Sequence, residues 1–386
     1  MFTVRASDFD FQLPTQLIAQ SPCKERDESR LLVLRRGHGA TSHHSFRDLP
    51  QFLRAGDLLV LNDSKVIPAR LRGKNHRSGG EFEMLLLEEN SRNDWWAMVR
   101  PGKRARAQTR IDLKTRDGES SAVHATVIDV NSEGHRRLVF DGCENIFDEL
   151  AHLGEVPLPP YIKRDSPHDA AADIERYQTI YAHAPGSVAA PTAGLHFTPA
   201  VMNALQRAGV QTCHVTLHVG PGTFAPVKSD ELSEHVMHEE RYVVPEATAA
   251  LVNTAKTEGR RVIAIGTTSV RVLESAVVGR GVLTAPRPTT TLGTSGGGVR
   301  TPRPATAEIA AGFARTKIFL HPPAPFCIVD ALLTNFHLPC STLLMLVSAF
   351  AAPGDTRGRD LILRAYEEAI AQLYRFFIYG DAMYIE

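Results

Sequence analysis

The sequence has few of the features that mark a secreted, metal-binding or membrane protein. Its 386 residues include only five cysteines, scattered along the chain without a Cys-x-x-Cys pair. Such spacing argues against a disulfide framework and a thiolate zinc site, and it suits a reducing compartment. The first twenty residues lack the apolar core of a signal peptide, and the most apolar run, 343–352, is too short to cross a bilayer. We therefore expect a cytoplasmic protein without membrane contact.

An excess of charge of either sign is also missing. Lys and Arg together number 43, equal to Asp and Glu together, and hydrophobic residues make up 43% of the chain. Net charge therefore creates no general attraction to nucleic acid or membranes, and a polyanionic partner has to be bound by a local basic patch. The length suits two domains better than one.

Two kinds of predicted secondary structure occupy different parts of the chain. Short strand-like segments separated by turn residues occupy 81–140, a pattern typical of a small barrel or sandwich. Strands followed by helices lie on either side, and a proline-rich linker at 156–162 leads back to them. The predicted fold is α/β, with an all-β module inserted into an α/β frame. We place the frame at 1–65 and 157–386, and the insertion at 66–156.

Basic residues cluster in the predicted β module, next to the aromatic pair Trp95 and Trp96. Arginines beside aromatic residues can hold phosphates and stack on bases, although a charge run is more often a solvated surface. The candidate nucleic-acid contacts are Arg70, Arg72, Arg100, Lys103, Arg104 and Arg106.

Two glycine-containing turns, at 192–196 and 217–224, each present a histidine and a threonine. Between them, Thr198 as a hydroxyl N-cap and Pro199 at the first position predict a helix that ends at Gly209. Short polar side chains and backbone amides at such turns can face a ligand. A single turn of this kind is more often a tight turn with a histidine in the core. Two such turns in succession favour a ligand-binding site.

A third turn, Gly266-Thr267-Thr268-Ser269, follows a predicted buried strand and begins a helix that carries Arg271. Amides and hydroxyls at a helix N-terminus form a site for a carboxylate or phosphate. The turn matches neither a Walker loop nor a dinucleotide fingerprint. Residues 279–306, rich in Thr, Gly, Pro and Arg, are interpreted as a surface loop without a catalytic role.

Taken together, these segments resemble the S-adenosylmethionine:tRNA ribosyltransferase-isomerases of bacterial queuosine biosynthesis. The resemblance spans nearly the whole chain and is carried by blocks at 62–71, 154–162, 177–179, 189–197, 216–224, 235–240, 266–271 with 274–275, 334–339 with 341–342, and 374–383. It implies an α/β barrel-like domain with an inserted Greek-key β-barrel. It also implies that the ribosyl part of S-adenosylmethionine is transferred and isomerised onto 7-aminomethyl-7-deazaguanine at the wobble position of tRNA.

The products that the resemblance implies are epoxyqueuosine in tRNA, adenine and methionine. S-adenosylmethionine is then a consumed substrate, no cofactor or metal is required, and we expect a monomer. The pair His235 and His238 could share a metal on a helix, but no third ligand is evident nearby, so a structural or substrate-orienting role is expected.

This chemistry asks for a base and an acid. A sulfonium acidifies the adjacent 5′ carbon, which a histidine could deprotonate, and an acid would assist the departure of adenine. His196 and His218 are the candidates for base and acid, in either order. If neither histidine transfers the proton, Asp381 and His337 are the next candidates. The candidates for shaping the pocket and binding the carboxylate and hydroxyls are Thr192, Gly194, Gly220, Gly222, Thr223, Thr267, Thr268, Ser269, Arg271, Asn335 and His337.

Two other classes of function fit parts of the pattern. A non-catalytic RNA-binding protein could use the basic β module for RNA and the α/β frame for support, but it would not need the histidine turns or the turn at 266–271. A histidine-rich, metal-dependent hydrolase would be supported by stoichiometric metal in the purified protein.

Overall fold

The computed structural model of the protein describes residues 4–164, 167–220, 227, 230–279 and 307–386. The chain divides into two compact units. The first comprises 1–63, 191–217 and 222–386, and the second comprises 64–190 and 218–221. Of the predicted features, Gly222, Thr223 and most of the loop at 279–306 lie outside the described residues. The predicted boundaries of the insertion, 66–156, stay a prediction.

The described residues form strands, α-helices and several short 3-10 helices. The strands are β1 (Arg30–Arg35), β2 (Ala40–Ser45), β3 (Leu58–Asn62), β4 (Ser64–Val66), β5 (Arg70–Asn75), β6 (Glu81–Ser91), β7 (Asp94–Arg100), β8 (Arg110–Lys114), β9 (Ser120–Val130), β10 (Arg136–Asp141), β11 (Gly154–Glu155), β12 (Ala184–Ser187), β13 (Gln211–Leu217), β14 (Glu240–Val244), β15 (Val262–Ile265), β16 (Gly312–Thr316), β17 (Ala331–Asn335) and β18 (Ala382–Ile385). The α-helices are α1 (Ile146–Leu153), α2 (Pro167–Arg176), α3 (Pro199–Arg207), α4 (Glu246–Thr257), α5 (Gly266–Ser275), α6 (Thr342–Ala351) and α7 (Gly358–Ala371). The 3-10 helices are Ala6–Phe9, Thr15–Leu17, Arg26–Glu28, Phe46–Phe52, Gly102–Arg104, Thr192–His196 and Leu232–Glu234.

The first unit is built on a nine-stranded mixed sheet in the order β16-β14-β13-β3-β15-β17-β18-β1-β2. Four neighbours in its centre, β13, β3, β15 and β17, run parallel to one another. Strand β18 is antiparallel to β17 and parallel to β1. The carboxyl ends of the four parallel strands therefore meet at one edge, which is where ligands bind in open α/β sheets.

The central strands are apolar because both of their faces are covered. Every residue of β3, β15 and β17 is buried, as expected for parallel strands with nearly continuous hydrophobic sequences. Helix α3 begins where the sequence predicts, with the Thr198 hydroxyl accepting a hydrogen bond from the Val201 amide at 3.2 Å. A buried carboxylate, Glu274 on α5, accepts hydrogen bonds from the consecutive amides of 327–329 and fixes the approach to β17.

The second unit contains a seven-stranded antiparallel sheet in the order β11-β5-β6-β7-β10-β9-β8, and an additional pairing of β5 with β8 closes six of these strands into a barrel. Strands β8, β9 and β10 pair consecutively, and β10 lies beside β7, which is a Greek-key order. A Cβ atom on Gly73 would come within 2.6 Å of Ile111 Cγ2, so glycine permits the close pairing at the β5–β8 seam. The predicted mixed α/β fold with an all-β module is confirmed.

Buried side chains inside the barrel alternate with more exposed ones along much of its strands. In β6 the residues Phe82, Met84 and Leu86 are buried while their neighbours are partly or fully exposed. This alternation is typical of a strand with one face in the core. In the part of the chain that the structure describes, no helix is long and apolar enough to cross a membrane.

Candidate active site

The carboxyl ends of the four parallel strands of the first unit gather most of the predicted site residues, and we call this region the carboxyl edge. Strand β15 runs directly into Gly266 and helix α5, and β17 ends at Asn335, two residues before His337. The 3-10 helix that carries Thr192 and Gly194 also lies here. A Cβ atom on Gly266, whose φ is +85°, would come 3.6 Å from Ala193 Cβ.

Asn62 joins the ends of β3 and β13 at this edge, although the sequence reasoning did not assign it to the site. Its Nδ2 donates to the Leu217 carbonyl and its Oδ1 accepts from the Leu217 amide, both at 3.0 Å. The Thr216 hydroxyl donates to Asp63 Oδ1 at 2.6 Å. A polar pair that follows a fully apolar strand is the signal that could have identified these residues.

His196 is buried in a network that uses both of its ring nitrogens. Its Nδ1 lies 2.7 Å from Ser29 Oγ, its Nε2 lies 3.1 Å from Asn335 Nδ2, and its ring stacks on Phe46. The Asn335 amide also donates to the Phe377 carbonyl at 3.2 Å, which fixes its orientation. Asn335 therefore donates to Nε2, and the proton of the neutral imidazole lies on Nδ1, facing Ser29.

The environment keeps this imidazole uncharged. Burial lowers the pKa of His196 to about 3, and the positive charges of Arg375 and Arg26 act in the same direction. At neutral pH the ring is therefore neutral, fully hydrogen-bonded and only 4% exposed. This geometry favours a positioning role for His196 over the predicted proton transfer, which stays a prediction.

His337 is held in a similar way. Its Nε2 lies 2.8 Å from Thr334 Oγ1, and its backbone amide donates to the Tyr366 hydroxyl at 2.9 Å. Burial lowers the pKa of His337 to about 3, so this ring is also neutral at neutral pH. The contacts of His337 within the turn after β17 suit shaping of the carboxyl edge better than proton exchange.

Asp381 links two segments of backbone. Its Oδ1 accepts from the Arg30 amide at 2.9 Å and its Oδ2 accepts from the Arg375 amide at 2.8 Å. The Arg375 guanidinium lies 3.8 Å from the carboxylate, which is 2% exposed. Both oxygens therefore hold β1 to the segment before β18, and this geometry favours a structural role over the predicted role as a reserve base.

Helix α5 begins with buried polar side chains. Thr267, Thr268 and Ser269 are at most 6% exposed, and the Ser269 hydroxyl donates to the Ile265 carbonyl at 2.8 Å. Arg271 is 3% exposed and forms an ion pair with Glu240 at the start of β14. The Ser269 hydroxyl is thus engaged within the helix, which leaves the other three predicted residues as candidates for ligand contact.

His218 follows β13 directly in sequence but belongs to the second unit, where it packs against β12. It is half-buried, and a Cβ atom on Gly186 would come 3.0 Å from its Cε1, so the glycine permits close packing of the ring. The next residue, Val219, donates from its amide to Ser187 Oγ at 2.8 Å. Gly220 ends the described part of this turn.

The six predicted nucleic-acid contacts separate into two groups. Arg70 donates to the Leu158 carbonyl at 2.9 Å, and Arg72 forms a two-pronged pair with Glu155 at 2.8 and 3.2 Å. The other four are exposed at the end of β7 and the 3-10 turn after it. We call this group the basic turn: Arg100, Lys103, Arg104 and Arg106.

A cleft of about 310 Å³ on the barrel lies beside the basic turn, and acids as well as bases line it. Its lining residues are Arg72, Glu81, Phe82, Glu83, Arg100 and Pro101. Trp95, which the sequence pattern offers for base stacking, is instead 3% exposed and packs in the barrel near Phe147. The nucleic-acid prediction therefore rests on exposed cations and no longer on this tryptophan.

In the sequence, the histidines at 235 and 238 are a pair that could share a metal. Among the described residues, no group of three or more His, Cys, Asp and Glu side chains could hold a metal ion. His235 packs edge-on against Phe319, and Glu239 pairs with Arg315 at 2.6 Å.

The chain is similar to known proteins over nearly its whole length. The family model described as queuosine biosynthesis protein matches residues 6–385. Two relatives named S-adenosylmethionine:tRNA ribosyltransferase-isomerase are similar over their length. The one from Natranaerobius thermophilus is 43% identical, over 99% of this chain and 100% of the relative. The one from Thermus thermophilus is 47% identical, over 98% of each.

A solved structure is similar as well. The crystal structure of S-adenosylmethionine tRNA ribosyltransferase from Thermotoga maritima is 34% identical in sequence and matches with a TM-score of 0.50. The match covers 98% of this chain and 100% of that one. The chain therefore belongs to the family of queuosine biosynthesis proteins.

Proposed function

We propose that this protein transfers and isomerises the ribosyl part of S-adenosylmethionine onto 7-aminomethyl-7-deazaguanine at the wobble position of tRNA. The products are epoxyqueuosine in tRNA, adenine and methionine. One observation carries the proposal, namely the match of residues 6–385 to a family whose relatives are named for this activity. The protein is thus a transferase and isomerase, and S-adenosylmethionine is a consumed substrate that needs no cofactor or metal beside it.

The carboxyl edge supports this proposal through its chemistry. A sulfonium substrate with an amino-acid part and a ribose requires donors for a carboxylate and short polar groups for hydroxyls. The start of α5 offers two threonines and Arg271 within one buried region. The network of His196, Ser29 and Asn335 on the same unit is uncharged and fully oriented, which suits positioning of a substrate.

In this proposal, His218 is the residue that transfers a proton. It is the remaining histidine of the two predicted turns, and it is only half-buried, so it can meet a reacting group. The basic turn on the barrel binds tRNA phosphates. The frame is a mixed α/β domain carrying the inserted Greek-key barrel, and the protein acts as a monomer in the cytoplasm.

The experiment uses S-adenosylmethionine carrying one label in adenine and another in the methyl group. Incubation with tRNA that contains the aminomethyl base should release labelled adenine and labelled methionine in equal amounts. The control is the same tRNA with unmodified guanine, for which neither product should appear. Methyl label recovered on the RNA would make the protein a methyltransferase and overturn the proposal.

A further inference from the structure

The beginning of helix α5 contains polar atoms that have no partner in the protein. Thr268 Oγ1, Arg271 Nε and Arg271 Nη2 are buried, and within the described part of the chain none of them has a hydrogen-bond partner. These atoms are shielded from bulk solvent. Buried donors without partners are costly and rare in native proteins, so each such atom calls for a physical reason.

The three atoms lie on the same face of the helix. Residues three apart are neighbours on a helix surface, so Thr268 and Arg271 project from the same face of α5. A Cβ atom on Gly266 would come 3.5 Å from Thr268 Oγ1, which shows that the hydroxyl faces the first turn. The first amides of any helix also lack partners within the helix and favour negative charge.

Only one side of the guanidinium is used by the protein. Arg271 donates to Glu240 through Nη1, and the fork formed by Nε and Nη2 is left over. Two parallel donors at this spacing match the two oxygens of a carboxylate. Glu240 fixes the orientation of the guanidinium, so the fork is pre-organised before a ligand arrives.

The net charge of the Arg271–Glu240 pair indicates which class of ligand the site can bind. Arg271 and Glu240 together are neutral, and both are at most 5% exposed. An uncompensated charge would be expensive beside a buried pair, whereas a zwitterion brings its own compensation. An α-amino acid is such a zwitterion, with its carboxylate available to the fork.

We propose that Arg271, oriented by Glu240 and assisted by Thr268, binds the α-carboxylate of the methionine part of S-adenosylmethionine. This inference rests on the proposed function, because it takes that substrate as the source of the amino acid. It also assigns different tasks to neighbouring residues. Arg271 and Thr268 contact the carboxylate, Glu240 positions the guanidinium, and the Ser269 hydroxyl stays within the helix.

The test measures dissociation constants by calorimetry in the presence of tRNA that lacks the aminomethyl base. The two probes are S-adenosylmethionine and its analogue without the α-carboxylate. The wild-type chain should prefer the complete substrate by about 10- to 100-fold, the range expected for hydrogen bonds between charged groups. In Arg271→Gln this preference should fall to within about threefold, while the affinity for the analogue stays the same.

Additional variants distinguish a loss of carboxylate binding from a folding defect. Loss of Arg271 alone leaves Glu240 buried without its partner, so a second chain combines Arg271→Gln with Glu240→Gln and restores a neutral pair. Thr268→Val, which keeps the side-chain shape, should reduce the preference by a smaller factor than Arg271→Gln. The matched control is Arg315→Gln, which removes an arginine from an exposed pair with Glu239 and should leave the preference unchanged.

The results distinguish failure of the carboxylate site from failure of the proposed function. If the folded double variant weakens both probes equally, or keeps the wild-type preference, the carboxylate site is overturned while the proposed function stands. If the wild-type chain binds neither probe under these conditions and releases no adenine with modified tRNA, both proposals fail together.

Discussion

The predicted functional side chains of the first unit and the basic turn of the second unit differ in their exposure to solvent. In the first unit, His196, Asp381 and Arg271 are each at most 4% exposed and are oriented by specific partners. In the second unit, the cations of the basic turn are exposed to solvent. Buried groups of fixed orientation suit chemistry, because they act in a low dielectric without reorganisation. Exposed cations suit attraction of a polyanion, which salt screens.

The largest expected effect is a loss of turnover, and it should distinguish His218 from His196. His218→Asn should lower turnover at saturating substrates by about 100- to 10,000-fold, because asparagine cannot exchange a proton near neutral pH. His196→Asn should lower the free energy of unfolding by about 1–3 kcal/mol, since it leaves the Ser29–Asn335 network incomplete. Turnover and denaturant unfolding are measured on both variants. A larger loss of turnover in folded His196→Asn than in His218→Asn would restore His196 as the base or acid.

The second prediction tests whether Asp381 is structural. Asp381→Asn replaces one acceptor oxygen by a donor that faces a backbone amide, so the free energy of unfolding should fall by about 1.5–3 kcal/mol. The control is Asp230→Asn, an exposed position whose carboxylate also accepts from a backbone amide, that of Ser7 at 3.0 Å, and which should cost less. A stable Asp381→Asn chain with turnover reduced about 100-fold would assign the carboxylate to catalysis instead.

The third prediction concerns pH. Histidine has a pKa of 6.5 before perturbation, and folding lowers the pKa of His196 and His337 to about 3. Below pH 6.5 the unfolded chain therefore binds protons that the folded chain does not. The stability that these rings contribute is present above pH 6.5 and is lost as the pH falls from about 6.5 toward about 3. Each ring adds about 1.4 kcal/mol per pH unit to this loss.

Urea unfolding at several pH values between about 6.5 and 5 measures this slope. His337→Gln should reduce the slope by the share of one histidine. His38→Gln changes an exposed ring and serves as the control. An unchanged slope in the folded His337→Gln chain would show that burial does not shift the titration of this residue.

The smallest expected effect concerns the exposed surface of the second unit. Changing the four cations of the basic turn to glutamine should weaken tRNA binding and flatten its salt dependence, by about 0.7–0.9 in the logarithmic slope for each lost phosphate contact. Arg92 and Arg110, which pair with Glu144 and Asp141, are exposed controls on the same barrel and should change the slope little. An unaltered slope in the basic-turn variant would locate the tRNA contacts elsewhere.

The series of short strands separated by turn residues was sufficient to predict an all-β module, a barrel or a sandwich, and the family resemblance implied the barrel. The helix after Thr198 was predicted from its cap and its first proline, which act over a few residues. The family could also be recognised, since its motifs are long blocks along one chain. These features depend on neighbours in sequence, and a single sequence contains them directly.

Other features depend on which strands become neighbours. The sequence presents Ser29, His196 and Asn335 far apart, and only the parallel packing of the sheet and its surrounding loops brings them into one network. Burial then lowers the pKa of His196, so a residue type suited to proton transfer becomes a positioning group. The pairing of Arg271 with Glu240 is equally invisible in the sequence. Sequence alone determined the fold class and the residue types available, whereas burial and long-range hydrogen bonding, which exist only in the folded chain, decided what each side chain can do.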